Sequence, residues 1–221
     1  MLWPLPMRIA VISTGVGNVR SVVRALERTA PPGREITPTA DPDAARRADV
    51  LVVPGQGSFG AFTAALEGGL REALLEAVRR GTPYLGICLG LQVLFDGSEE
   101  APSALGLGVF PGRVRRLDPG VEPDAAHGGP PRPRPLPHVG WNRAELVRDG
   151  IVAPAHYYFA HSYAAAPDDP SVTLATTTYG ETFTSAVQKD NVAGVQFHPE
   201  KSQREGLALL ERFFSSIVRG S

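Results

Sequence analysis

Cysteine is almost absent, with one residue, Cys88, in a chain of 221. A single thiol excludes an internal disulfide framework and leaves no CxxC pair for a zinc knuckle or redox centre, which fits a reducing cytoplasm. Net charge is nearly absent as well. The 22 Lys and Arg set against 23 Asp and Glu offer no bulk attraction to nucleic acid or to an anionic membrane. No stretch approaches the roughly 18 uninterrupted apolar residues of a membrane span. The apolar opening, Met1 to Met7, has neither a charged leader nor a small-residue cleavage site, so no secretion signal is read there. Met7 can serve as the start, leaving residues 1–6 as a tail. The histidines lack metal-ligand spacing: His127, His138, His156 and His161 are read as surface or structural, and no metal or cofactor is expected.

The composition that remains, 43% hydrophobic and 20% charged, is that of a globular protein with one full core. The length is too short for two ordinary domains, so residues 1–221 are expected to form one. Arg8 to Ser13 reads as a strand, followed by a tight turn and a helical pattern over Asn18 to Ala30. Val50 to Pro54 is a second strand, followed by Gly55-Gln56-Gly57 and a helical stretch ending near Arg80. Pro83 to Cys88 is a third, with helical character over Leu89 to Phe95. Strands that are apolar throughout and alternate with helices predict an α/β fold, a mostly parallel open sheet flanked by helices. Beyond Gly97 the pieces Gly112 to Leu117, Val172 to Tyr179 and Glu181 to Val187 predict antiparallel ribbons. Lys189-Asp190-Asn191 reads as a hairpin turn into Val192 to Phe197, and a helix over about Gln203 to Val218 closes the chain. Seven prolines between Pro119 and Pro137 predict an exposed, mobile loop without regular structure, its Arg132 and Arg134 solvated.

Gly86-Ile87-Cys88-Leu89-Gly90 falls where a buried strand meets a helix, with the form of a G-x-S-x-G elbow carrying sulfur. A side chain on so sharp a turn stands clear of the sheet, and glycine neighbours prevent clashes. The start of the following helix favours thiolate over thiol. Without such context a lone cysteine is a small buried hydrophobe. His198-Pro199-Glu200 ends a strand, where residues i and i+2 share a side. Glu200 can then hold one imidazole nitrogen while the other serves as base. The expected roles are nucleophile (Cys88), base (His198) and orienter (Glu200). An oxyanion needs donors, and the backbone N–H of Leu89 is the first candidate, with Gly55, Gln56 and Gly57 supplying the second. By itself that glycine loop is an ordinary tight turn. Gly15 to Asn18 resembles a nucleotide-binding turn only weakly, since it lacks the third glycine and the later acidic partner.

These residues, GICLGLQ at 86–92 and HPE at 198–200, resemble the signatures of the triad (class I) glutamine amidotransferases. A finer likeness points to the branch of that family serving histidine biosynthesis. It is carried by GVGNVRSV at 15–22, PGQGSFG at 54–60, GICLGLQVLF at 86–95, PHVGWN at 137–142, AHSY at 160–163 and QFHPEKS at 196–202. The resemblance spans nearly the whole chain and implies a flavodoxin-like class I glutaminase fold that releases ammonia from L-glutamine. It implies further that Gln92 and the backbone of His161, Ser162 and Tyr163 hold glutamine. The implied partner is the cyclase subunit HisF, a (βα)8 barrel, in a heterodimer, with Asn18, Trp141 and Lys201 near the interface. For Trp141 a core position is the competing reading, and for Lys201 a solvated charge. Two departures stand out, Ser13-Thr14 where the family has Asp-Tyr, and Gln56 where it has a small or aliphatic residue. A glutaminase feeding another synthase, for anthranilate or pyridoxal phosphate, and an inactive regulatory module of the same fold remain alternatives.

Overall fold

A computed structural model describes residues 6–15, 19–124 and 129–219. Asn18, His127 and most of the expected tail lie outside the described residues. The first half alternates strand and helix: β1 (Met7–Ile12), α1 (Val19–Thr29), β2 (Arg34–Thr39), α2 (Pro42–Arg47), β3 (Val50–Gly55), α3 (Phe59–Ala64), α4 (Leu70–Arg79), β4 (Tyr84–Cys88) and α5 (Leu89–Gln92). The second half is mainly β: β5 (Gly97–Ser98), β6 (Ala101–Leu105), β7 (Gly112–Arg116), β8 (Val121–Asp124), β9 (Gly129–Pro133), β10 (His138–Leu146), β11 (Ala155–His161), β12 (Tyr163–Pro167), β13 (Thr173–Tyr179), β14 (Glu181–Lys189) and β15 (Val192–Val195), closed by α6 (Gln203–Arg219).

Strands β2, β1, β3, β4 and β15 lie side by side and parallel. Their order reverses direction at β1, as in doubly wound sheets, so the carboxyl ends of the strands define one binding edge. β1, β3 and β4 are buried along almost their whole length, the pattern required when helices cover both faces. α1 and α6 pack on one face, where Val22, Leu26, Leu209 and Phe213 join Ile9, Val52 and Ile87. On the other face Phe62, Leu70 and Leu74 of α3 and α4 meet Leu51, Val53 and Tyr84. From β15 onward the sheet continues antiparallel through β14, β12 and β7, with β10, β11 and β13 attached beside it. Among the described residues no helix is long and apolar enough to cross a membrane.

Three local expectations differ from what is observed. The helix after Cys88 lasts only from Leu89 to Gln92, too short to assemble a full macrodipole. The stretch after Gly57 divides into two helices at Gly68 and Gly69, both of positive φ. The proline-rich stretch is not structureless, because Val121–Asp124 and Gly129–Pro133 pair as an antiparallel ribbon of their own. In a two-stranded ribbon each strand has a free outer edge, where a proline nitrogen forfeits no ladder bond. The register slips between Glu122 and Asp124, at Pro123. Arg134 is tied down rather than solvated: it donates to the Pro119 carbonyl at 3.2 Å and stands 4.0 Å from Glu122.

Candidate active site

β3 and β4 run in register, with Gly55 opposite Cys88, so both sequence motifs reach the carboxyl edge together. Cys88 adopts φ 55°, ψ −108°, a conformation rarely open to a residue with a side chain. Packing on all sides holds it there. A Cβ on Gly86 would stand 2.3 Å from the Gly90 carbonyl oxygen, and one on Gly90 would stand 1.7 Å from that of Val53. The buried Tyr84 hydroxyl donates to the Gly90 carbonyl at 2.9 Å and fastens the far side of the turn. Gly55 is needed for packing too, since a Cβ there would meet Leu89 at 2.6 Å.

β15 lies parallel to β4, with Val195 opposite Ile87. One residue further, the chain has reached the level of Cys88. Alternation then sends Phe197 into the core against Tyr157, with ring centroids 4.0 Å apart, and turns Gln196 and His198 to the opposite side. The His198 ring faces the Cys88 side chain closely enough for the two to interact, and its Nδ1 donates to Glu200 Oε1 at 2.9 Å. Glu200 reaches it from a single 3-10 turn, Pro199–Lys201, not from a continuing strand as the i, i+2 spacing suggested. Proline at the first helical position opens that turn. The side chains of His198 and Glu200 are 3% and 2% exposed. Burial disfavours the imidazolium, yet the hydrogen bonds to Cys88 and Glu200, with their charges, raise the His198 pKa to about 9. The arrangement therefore favours a cationic ring beside the sulfur at neutral pH.

A cavity of about 210 Å³ opens at the sulfur. Its walls include Gly57, Leu89, Gln92, His161, Ser162 and Tyr163 from the sequence reading. Gly57 has φ 97°, which favours glycine. Gln56 is half-buried and is not among the lining residues. Gln92 spends both amide protons inside the protein, on the Tyr163 carbonyl at 2.9 Å and Gln196 Oε1 at 3.0 Å, so only its oxygen is left for a ligand. Sequence reading did not single out two residues of this site. Glu100 lines the cavity and accepts the Phe59 N–H at 2.8 Å. Gln196 is fully buried and donates to Cys88 Sγ at 3.6 Å; only its place two residues before His198 hinted at this.

Trp141 is 48% exposed, which excludes the core position. Its ring meets Tyr158 edge-on at 6.2 Å, and Lys201 Nζ lies 5.7 Å from the centre of the same Tyr158 ring. Tyr158 thus joins the two residues that sequence placed near a partner. His138 and His161 are buried and His156 is exposed. Among the described residues no group of three His, Cys, Asp or Glu is placed to hold a metal ion.

Fold and site together define a class. The family model described as glutamine amidotransferase class-I matches residues 10–217. The chain is 42% identical over 213 residues to the imidazole glycerol phosphate synthase subunit HisH of Methanothermobacter thermautotrophicus, covering 95% of this chain and 98% of that protein. It is 45% identical over 215 residues to HisH of Thermococcus kodakarensis, covering 93% and 98%. The chain therefore belongs to the class-I glutamine amidotransferases and, within them, to the HisH family. Solved structures carry the fold further. A crystal structure of a glutamine amidotransferase superposes with a TM-score of 0.69 at 19% identity, covering 93% of this chain and 97% of that one. The Thermotoga maritima PurLQS structure gives 0.68 at 18%, covering 98% and 99%.

Proposed function

We propose that this chain hydrolyses L-glutamine to glutamate and ammonia as the glutaminase subunit of imidazole glycerol phosphate synthase in histidine biosynthesis. One observation carries the reading: a buried imidazole lies beside the sulfur of a strained elbow and is bonded to a buried carboxylate. In this mechanism the Cys88 thiolate attacks the side-chain amide carbon of glutamine. His198 protonates the nitrogen as the C–N bond breaks, ammonia leaves, and an S-glutamyl thioester remains. Water, deprotonated by the same imidazole, attacks the thioester and expels the thiolate. Glu200 keeps the ring in the tautomer both steps need.

The backbone N–H of Leu89 and the Gly55–Gly57 loop are assigned to the oxyanion. The carboxylate of Glu100, on the cavity wall, suits the α-ammonium group of glutamine, with Gln92 Oε1 and the backbone of 161–163 beside it. Ammonia set free in water is protonated and stops being a nucleophile, so it must be handed over in shelter. The proposed acceptor is the cyclase subunit HisF, a (βα)8 barrel, in a heterodimer that meets this chain at Trp141, Tyr158 and Lys201. A thiol nucleophile keeps its function in a reducing compartment, and the cytoplasm is the proposed location. The test is Cys88→Ala. Glutamate production in the presence of the cyclase should fall by on the order of 10³-fold or more; turnover near wild type excludes the mechanism.

A further inference from the structure

The polar groups around the cleft form a chain whose direction can be worked out from both ends. At the inner end the Tyr163 carbonyl, which can only accept, lies 2.9 Å from His161 Nδ1. His161 Nδ1 therefore carries the proton, and its Nε2 presents a lone pair. At the outer end the Asn142 amide is fixed: its oxygen accepts the Arg143 N–H at 2.8 Å and its nitrogen donates to the Thr178 carbonyl at 2.9 Å. The same nitrogen faces His138 Nε2 at 3.3 Å, so that ring nitrogen accepts. The His138 proton then sits on Nδ1, which donates to His161 Nε2 at 3.1 Å. Both rings must be neutral for this, and burial holds His138 at about 4 and His161 at about 3. His138 is also clamped between Phe159 and Tyr179, with ring centroids 4.9 Å and 4.1 Å away.

At the Tyr163 carbonyl the direction of donation reverses, and a second run of bonds starts from the Gln92 amide and leads to the sulfur. That oxygen also accepts one Gln92 amide proton, and the other goes to Gln196 Oε1. Gln196 is thereby oriented with its nitrogen toward Cys88 Sγ. Turning its amide over would set two donors face to face at Gln92 and place an oxygen against the sulfur. A fully buried amide is costly unless its groups are used, and an apolar side chain would fill the same space without that cost.

We propose that Gln196 is a catalytic donor to the Cys88 sulfur, and that His138 is a positioning residue acting on it by fixing, through His161, the Tyr163 carbonyl to which Gln92 donates. The proposal rests on Cys88 being the nucleophile. Because Cys88 is the sole cysteine, the pH profile of iodoacetamide alkylation of the full chain reports on it alone. Gln196→Met should move that profile to higher pH by about one unit, the scale of a hydrogen bond to a charged group. His138→Phe, which keeps the stacking but removes the donor, should move it less and in the same direction. The double variant should match Gln196→Met alone. A profile unchanged in Gln196→Met, or a double-variant shift equal to the sum of the single shifts, overturns the proposal. Where near-ultraviolet circular dichroism shows that Gln196→Met has not folded, Gln196→Glu takes its place. It keeps the acceptor for Gln92 and should give a larger shift to high pH, with superposition on wild type again the overturning result. Failure here leaves the glutaminase reading standing, whereas turnover retained in Cys88→Ala would remove that reading whatever the alkylation profiles show.

Discussion

Gly90 has no alternative, because a single added carbon would collide with the Val53 backbone. Gly90→Ala is expected to destabilise the fold by about 3 kcal/mol or more, as severe overpacking against main chain does, measured by thermal or denaturant unfolding. The histidines set pH limits of opposite sign. His198 is raised to about 9, so its contribution is fully present below the unfolded value near 6.5 and is lost as pH rises through 9. His138 and His161 are lowered to about 4 and 3, so theirs is present above about 6.5 and is lost as pH falls toward those values. The melting temperature should therefore decline on both sides of neutrality. Cys88→Ala should weaken the alkaline decline, and His138→Phe the acid one; profiles parallel to wild type would contradict these assignments. Cys88, His198 and Glu200 were legible because each sits in a short motif with its own local geometry. Gln196, Glu100 and Tyr158 were not, since each acquires its role from residues far along the chain: Gln196 meets Cys88 across 108 positions.

At the scale of elements, the alternation of apolar strands and helices announced the parallel core, because strands covered on both faces have no polar side to show. β2 and α2 escaped sequence reading for the complementary reason. β2 is an edge strand with a half-exposed, mixed pattern, and α2 is six residues held by the Asp41 cap and Pro42. Proline content misled at β8 and β9, where pairing outside the main sheet makes prolines harmless. That ribbon stands apart from the main sheet, so replacing residues 121–133 by a short turn should leave glutaminase turnover within about two-fold and change stability little. A large loss of turnover would assign the ribbon a part in the site. The 3-10 turn carrying Glu200 also carries Lys201, which links the proposed orienting carboxylate to the proposed partner surface. Lys201→Glu should weaken association with the cyclase while leaving the circular dichroism unchanged; unaltered affinity and coupled activity would remove Lys201 from the interface.

Across the whole molecule, the chain places three distant segments on the carboxyl edge of one sheet: the β3 turn, the elbow after β4 and the turn after β15. The two helical layers and the antiparallel extension fix that edge from both faces. Together they bury a His–Glu pair beside a thiol while leaving a small cavity open at the sulfur. In the proposed mechanism this sulfur carries the glutamyl group between attack and hydrolysis. Acid-quenching the enzyme during turnover of glutamine and analysing the peptide that contains Cys88 by mass spectrometry tests it most directly. A glutamyl adduct on Cys88 that forms with glutamine and is absent in Cys88→Ala is the predicted result. Glutamate accumulating at full rate in a variant that lacks this thiol, with no adduct at any time, would contradict it.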